Sequence, residues 1–362
     1  METNFTGANT YTVGIEEEFQ LVDPATRELS PAIDAVLAGG RELNWITSEL
    51  SQSCVELVSP VYGNVAQVAK ELPRLRNELG ALARSCGVEL VAAGTHPFSN
   101  PVAQPFTRGA HHLKVEEHMG WVARTQAIYG LHVHVAVPDE ESAIQATKVL
   151  SRHVPLVIAL SGNSPFWRGS DTRLSSTRIK VFEIFPRSGL PPAFDRWEDF
   201  QNHVDTIVAS GNIPDYTWCW WDVRPHPQFG TVELRSPDVQ IHPSYTVALA
   251  AMVQCLVATA NERQGENSLL TEENKWLATR HGLDAVFYDF ADGEKRSAGD
   301  LARRLVEELR GPAQDLGCEN ELEGILEIVK GGSGAQIQRA NLEMSGSLKG
   351  MVDYLIANTA SG

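Results

Sequence analysis

Several short β-rich segments carry ionisable side chains on one strand face and apolar residues around them, and this pattern constrains the fold most. Side chains alternate across a strand, so residues two apart share a face. In Gly14–Phe19 (GIEEEF), within a strand read over Tyr11–Leu21, Glu16 and Glu18 project together and Glu17 points the other way. His132 and His134 share a face in Gly130–Val137 (GLHVHVAV), as do Thr231, Glu233 and Arg235 in Gly230–Ser236 (GTVELRS). Glu49–Val58 reads as a further strand region, stopped by Pro60, with Glu56 on the face of Cys54 and Gln52. Taken singly, the Glu run is a solvated edge, the His pair a hydrogen-bonded core pair, and Glu233 with Arg235 a cross-strand ion pair. Taken together they are a set of carboxylates that must give up water, at a cost on the order of several kcal/mol per ion unless something compensates. Divalent cations supply that compensation. Oxygen donors dominate the set, which suits Mg²⁺ or Mn²⁺ better than zinc.

Around these strands the periodicity changes. Val65, Val68, Leu72, Leu75, Leu79 and Leu82 recur at steps of three and four, an amphipathic helix despite Pro73. Val88–Ala93 is a short buried strand, and Pro138-Asp139 opens a helix running through Leu160. Ser161–Pro192, rich in Ser, Gly, Pro and Arg, reads as long ordered loops, a functional signature inside a compact domain. A Pro243-initiated apolar helix follows. From about residue 264 the chain turns helical, with Leu301, Leu305 and Leu309, then Leu322, Ile325, Leu326 and Val329 before a Gly331-Gly332 cap. Polar-faced antiparallel strands backed by helices make an α+β arrangement. No linker or repeat divides the 362 residues, so they are read as one domain.

The formal charge of -16 argues against a nucleic-acid or membrane-surface binder. The five cysteines are scattered and none forms a C-x-x-C pair, so a reducing compartment, the cytoplasm, is the expected home. Neither a secretory signal nor an apolar run of about 20 residues is visible. Cys54 sits in an apolar β-rich setting that favours packing over nucleophilic chemistry. Trp218, Trp220 and Trp221 read as core or pocket wall rather than a base-stacking platform. No P-loop occurs, so any ATP must be bound through metal ions.

Gly14–Phe19, Ile46–Pro60 (ITSELSQSCVELVSP), Gly130–Val135, and Arg224–Arg235 (RPHPQFGTVELR) resemble the glutamate–cysteine ligase superfamily. The likeness is greatest to its second family, the bacterial carboxylate–amine ligases. Gly94–Phe98 (GTHPF) lies between them in the expected order, and Gly331–Arg339 (GGSGAQIQR) is a weaker echo. The resemblance implies a glutamine synthetase-like catalytic core, in which a curved antiparallel sheet forms a funnel with helices packed outside. It implies Glu16, Glu18, Glu49, Glu56, His132 and Glu233 as metal ligands, with His134 outside that set. Glu56, Glu233 and Arg235 become the catalytic candidates, and Arg178, Arg224 and Arg235 the nucleotide- or phosphate-binding ones. Arg173 and Arg187 are further loop arginines of open role.

The implied chemistry is ATP- and Mg²⁺-dependent joining of a carboxylate, the glutamate side chain by resemblance, to an amine through an acyl phosphate. Metals and Arg235 would offset the charge of the moving phosphoryl group. The expected partners are small-molecule substrates, with a homodimer as the expected assembly. Two alternatives are a metal-dependent hydrolase of amidohydrolase type, whose metal site also begins with H-x-H, and a non-catalytic nucleotide- or amino-acid-binding protein.

Overall fold

The computed structural model describes residues 2–5, 7, 11–263, 269–289 and 292–360. Eleven strands are present among them: β1 (Val13–Val22), β2 (Ile46–Ser48), β3 (Cys54–Val58), β4 (Glu89–Val91), β5 (Leu131–Ala136), β6 (Phe166–Trp167), β7 (Ser170–Asp171), β8 (Val223–His226), β9 (Thr231–Leu234), β10 (Val286–Tyr288) and β11 (Lys295–Ser297). Seven form one antiparallel sheet in the order β2-β3-β1-β5-β9-β8, with β4 pairing the far end of β1. It does not close, and it is not the eightfold βα barrel of an amidohydrolase.

The alternation read from the sequence decides which face meets the helices. Val13, Ile15, Phe19 and Leu21 of β1, Leu131, Val133 and Val135 of β5, and Val232 and Leu234 of β9 are buried in one core. Helices Val65–Ser85, Glu140–Ser161 and Pro243–Ala258 pack on that side. The first begins at Asn64, whose side chain accepts from the Gln67 N–H, and the second at Asp139, which accepts from Ser142.

Glu17 belongs to this apolar face and is tolerated there because Arg76 meets it. The Arg76 Nε–H donates to Glu17 Oε2 at 2.7 Å, Nη2 pairs with Oε1, and neither residue is exposed. The remaining guanidinium hydrogens reach the Ile241, Thr359 and Gln240 carbonyls and Thr246 Oγ1. One ion pair thus ties β1 to three helices.

Three expectations need correcting. Glu49–Val58 is not one strand: β2 ends at Ser48, and residues 49–53 form the connection to β3. This connection is pinned by Gln52 N–H to Pro105 O and Thr107 N–H to Leu50 O, at 2.9 and 2.8 Å. Ser161–Pro192 is not all loop, because it holds the small β6–β7 hairpin and a helix, Thr177–Phe182, capped by Ser176. The C-terminal third is helical over Leu269–His281, Ala298–Leu316, Glu319–Gly331, Gly334–Ser345 and Leu348–Thr359, but β10 and β11 interrupt it. The boundary expected near 264 lies outside the described residues. Gly332 closes the Glu319–Gly331 helix at φ 92°, a conformation that suits glycine.

Candidate active site

The polar face of the sheet gathers the charges by register alone. Glu16 lies opposite His132, Glu18 opposite Glu56, and His134 opposite Glu233, which is in turn opposite Arg224. Facing residues in an antiparallel pair stand roughly 5 Å apart, so each neighbour is set by backbone pairing before any side chain moves. Glu49 reaches the group from the β2–β3 connection.

Donor atoms converge in three overlapping groups among the described residues. These are Glu18, Glu49 and Glu56; Glu16, Glu56 and His132; and Glu16, His134 and Glu233, with ligand atoms within 4.8 Å of one another in each. Glu56 and Glu16 are each shared by two groups. Each group offers two or three carboxylates, a donor set that would suit divalent cations.

The electrostatics divide the row. Burial first, then the like charges of Glu16, Glu49 and Glu18, hold the Glu56 carboxyl well above the usual range. Burial and Glu18 push Glu49 up to about 8. Arg235 acts on both in the opposite direction but does not offset burial and like charge. At the other end, burial opposes ionisation of Glu233, but Arg224 and Arg235 overcome it and hold the carboxyl far below its ordinary value. Glu16 is likewise held well below, with hydrogen bonds to His132 and His134 outweighing its burial. Burial disfavours charge on His134, yet Glu233 and Glu16 raise its pKa above the ordinary value.

The arginines separate into distinct roles. Arg235 Nη1 pairs with Glu233 Oε1, while its buried Nε has no hydrogen-bond partner. Arg224 is committed inward: Nε and Nη2 donate to Glu233 Oε2 at 2.9 and 2.8 Å, and Nη1 to Thr217 O at 2.7 Å. Its geometry is that of a counter-ion to Glu233. Arg178 lies in the Thr177–Phe182 helix and lines one cleft with Glu18, Glu49, His132, Arg235 and Trp220. Its Nη1 and Nη2 donate to the Ser236 and Arg235 carbonyls, both at 3.2 Å, and Nε is buried without a partner. Arg173 is not brought to the cleft; it is exposed at the β6–β7 end, where its carbonyl accepts from Arg280. Arg187 stands behind the cleft wall, 5.7 Å from the Trp220 ring, with Nε donating to Trp218 O.

A family match accompanies this geometry. The family described as glutamate–cysteine ligase family 2 (GCS2) matches residues 12–357. The chain belongs to that family. A relative named "Putative glutamate--cysteine ligase 2-3" from Rubrobacter xylanophilus is 57% identical, over 99% of this chain and 100% of the relative. One from Sorangium cellulosum, named "Putative glutamate--cysteine ligase 2", is 40% identical over 97% of each. Among solved structures, the glutamate–cysteine ligase of Francisella tularensis in complex with AMP superposes with a TM-score of 0.69 at 15% identity, covering 96% of this chain and 88% of that one. A bifunctional glutathione synthetase from Pasteurella multocida gives 0.70 at 14% identity, covering 98% of this chain and 53% of that one. At such identities the likeness is one of fold, and it is the ligase-type α+β fold that the motifs implied.

Cys54 is buried, and burial together with Glu18 raises its thiol far above the usual range, so it is no nucleophile. Of the three tryptophans only Trp220 lines the cleft; Trp218 lies beside His111 and His118, and Trp221 beside Phe194 and Phe200. Two site features escape sequence reading. His111 and His112 line the cleft from helix Ala110–Met119, which has no strong periodicity to announce it. Lys275, nearly fully buried, donates to Asp222 Oδ2 at 2.6 Å and pairs with Glu183 Oε1 at 2.9 Å. The Asp222 carbonyl accepts the Arg235 N–H at 2.8 Å, so this pair braces the site's edge from the C-terminal helices.

Proposed function

We propose that the chain is a single catalytic domain that joins a carboxylate to an amine with ATP and Mg²⁺ or Mn²⁺, through an acyl phosphate. The observation that carries this reading is the row of three overlapping acidic groups ending in an arginine pair, in a chain whose family is named for such ligases. Cations held by Glu16, Glu18, Glu49, Glu56, His132 and Glu233 would supply charge neutralisation for the nucleotide phosphates and the reacting carboxylate.

The chain's own residues do the rest. Arg235, with an unpartnered Nε, donates to the phosphoryl oxygens as their charge grows. Arg224 keeps Glu233 ionised and fixed. Arg178, held by backbone carbonyls beside the cleft, supplies a second cationic donor for a phosphate or a substrate carboxylate. Phe182, Phe185, Trp220 and Ile128 form an apolar part of the cleft wall, against which a bound substrate would shield an acyl phosphate from water. Glutamate is the proposed carboxylate, and the cytoplasm the proposed compartment. No helix among the described residues is long and apolar enough to cross a membrane.

Purified enzyme with ATP, Mg²⁺, glutamate and a panel of amines should release phosphate only when carboxylate and amine are both present, with an amide of the summed masses less water. Amide cleavage without ATP, or no ATP binding at all, contradicts the reading.

A further inference from the structure

Two motifs of the sequence, Gly94–Phe98 and Gly331–Arg339, supply none of the described residues that line the cleft, yet both lead to Asp238. This carboxylate is buried and has three donors. The Asn163 N–H and the Ser164 hydroxyl donate to Oδ2, both at 2.7 Å, and the Ser176 hydroxyl donates to Oδ1 at 2.8 Å. On one side Gly94 passes so close that a Cβ there would lie 2.6 Å from Asp238 Cγ. On the other, Gln338 of the C-terminal motif donates to the Asn163 carbonyl at 2.9 Å and to its side-chain oxygen at 2.7 Å. The two serines continue to Arg178. Ser176 caps the Thr177–Phe182 helix by accepting the Ile179 N–H, and Ser164 Oγ accepts the Arg178 N–H at 3.0 Å. At the far end of the side chain, the Arg235 and Ser236 carbonyls take the guanidinium. Residues 235–238 thus grip Arg178 at both ends, by two carbonyls at its head and by the Asp238 carboxylate at the start of its helix.

We infer that Asp238 is a positioning residue: it sets the start of the Arg178 helix, so that the guanidinium reaches the cleft in one fixed place. The inference rests on the reading of Arg178 as a donor to an anionic substrate group, and it adds what aims that donor. An arginine ordered in advance spares binding the entropy of fixing a long side chain. Gly130 supplies the bed on which it lies. A Cβ at Gly130 would fall 2.1 Å from Arg178 Nη2, and the guanidinium, as the free end of a long side chain, is what would give way. Asparagine at 238 would keep the shape but not the bonds. With its oxygen toward the Asn163 N–H, its NH₂ group faces the Ser176 hydroxyl, which must also accept from Ile179. The helix cap, and with it the aim of Arg178, is the part that loosens.

The test is kcat and the KM values for ATP and glutamate, read by phosphate release with an amine that supports turnover. Arg178→Gln is expected to raise one of the two KM values. Asp238→Asn should raise the same one roughly tenfold, the loss of one hydrogen bond to a charged group, and leave the other unchanged. The double variant Arg178→Gln/Asp238→Asn should be no weaker than Arg178→Gln alone, because the two residues act as one unit. Gly130→Ala, which moves the guanidinium and leaves the Asp238 bonds in place, should raise that constant too. Effects that multiply in the double variant, or a loss of kcat with both KM values unchanged, give Asp238 a role in the fold alone and overturn the proposal. Where Asp238→Asn folds poorly, Ser176→Ala decides: it cuts the chain at the cap, leaves Asp238 two donors, and must raise the same constant. If Arg178→Gln changes neither KM the proposal falls, while ATP-dependent amide formation in that variant keeps the ligase reading. No ATP-dependent turnover in wild type overturns that reading itself.

Discussion

Glu56 faces Glu18 across the β1–β3 pair and has Glu16 and Glu49 as further neighbours, so burial and like charge hold its carboxyl well above the usual range. A carboxylate whose folded pKa is raised works against the fold at neutral pH, and removing it relieves that cost. Glu56→Gln should therefore raise the thermal midpoint of the metal-free protein while lowering kcat/KM by about 100-fold or more, several kcal/mol of lost charge stabilisation. Full turnover in Glu56→Gln contradicts its role. Glu233→Gln should also lose activity but is less clean, because it strands Arg224 and Arg235 in a buried setting. His96 gives a pH prediction of a different kind. Its Nδ1 accepts from the Ser99 N–H at 3.0 Å and its Nε2 lies 2.8 Å from Arg27 O, so the surroundings demand the neutral ring. Burial accordingly lowers its pKa to about 4. Below the ordinary value of about 6.5 the unfolded chain binds the proton and the folded one does not. Stability is then full above about 6.5 and falls as pH drops toward 4, by about 3 kcal/mol for a shift of this size. Denaturant titrations at pH 7 and pH 4.5 should differ less in His96→Asn than in wild type.

Along β1 the same alternation that delivers Glu16 and Glu18 to the site delivers Glu17 to the core, and only Arg76 makes this tolerable. Removing one partner leaves a buried charge, so Arg76→Met should destabilise by about 3–5 kcal/mol. The double variant Glu17→Met/Arg76→Met should be less destabilised than that single variant, which urea unfolding of the set would show. Arg76 had a signal in the sequence: it lies four residues after Leu72 and three before Leu79, on the apolar stripe of its helix. The strand faces, the helices after Asn64 and Asp139, and the gathering of the glutamates were legible because period and turn residues are local. The turn that takes Glu49 out of the strand pattern is held by residues 105–107, a contact distant in sequence. Arg178 stands apart from Arg173 in the sequence by its place beside the motif loops, and the structure separates them through the Ser176 cap and the carbonyls of residues 235 and 236. β8 is hidden in the sequence because Pro225 breaks the strand pattern, although an edge strand accommodates it.

At the scale of the whole chain, the site depends on parts far apart in sequence. Lys275, from the C-terminal helices, holds Asp222, whose carbonyl holds the Arg235 backbone. Lys275→Met leaves Asp222 buried without its cation, and is expected to lower stability by about 3–5 kcal/mol and activity with it. One cooperative unfolding transition, seen alike by tryptophan fluorescence and by far-UV dichroism, is expected if the chain is a single domain. The central claim is that a carboxylate is activated by phosphorylation on this sheet, and isotope transfer tests it most directly. Glutamate labelled with ¹⁸O in its side-chain carboxylate, turned over with ATP and the amine found by screening, should give phosphate carrying one ¹⁸O atom per turnover. Phosphate free of the label, with amide still formed, contradicts an acyl-phosphate route.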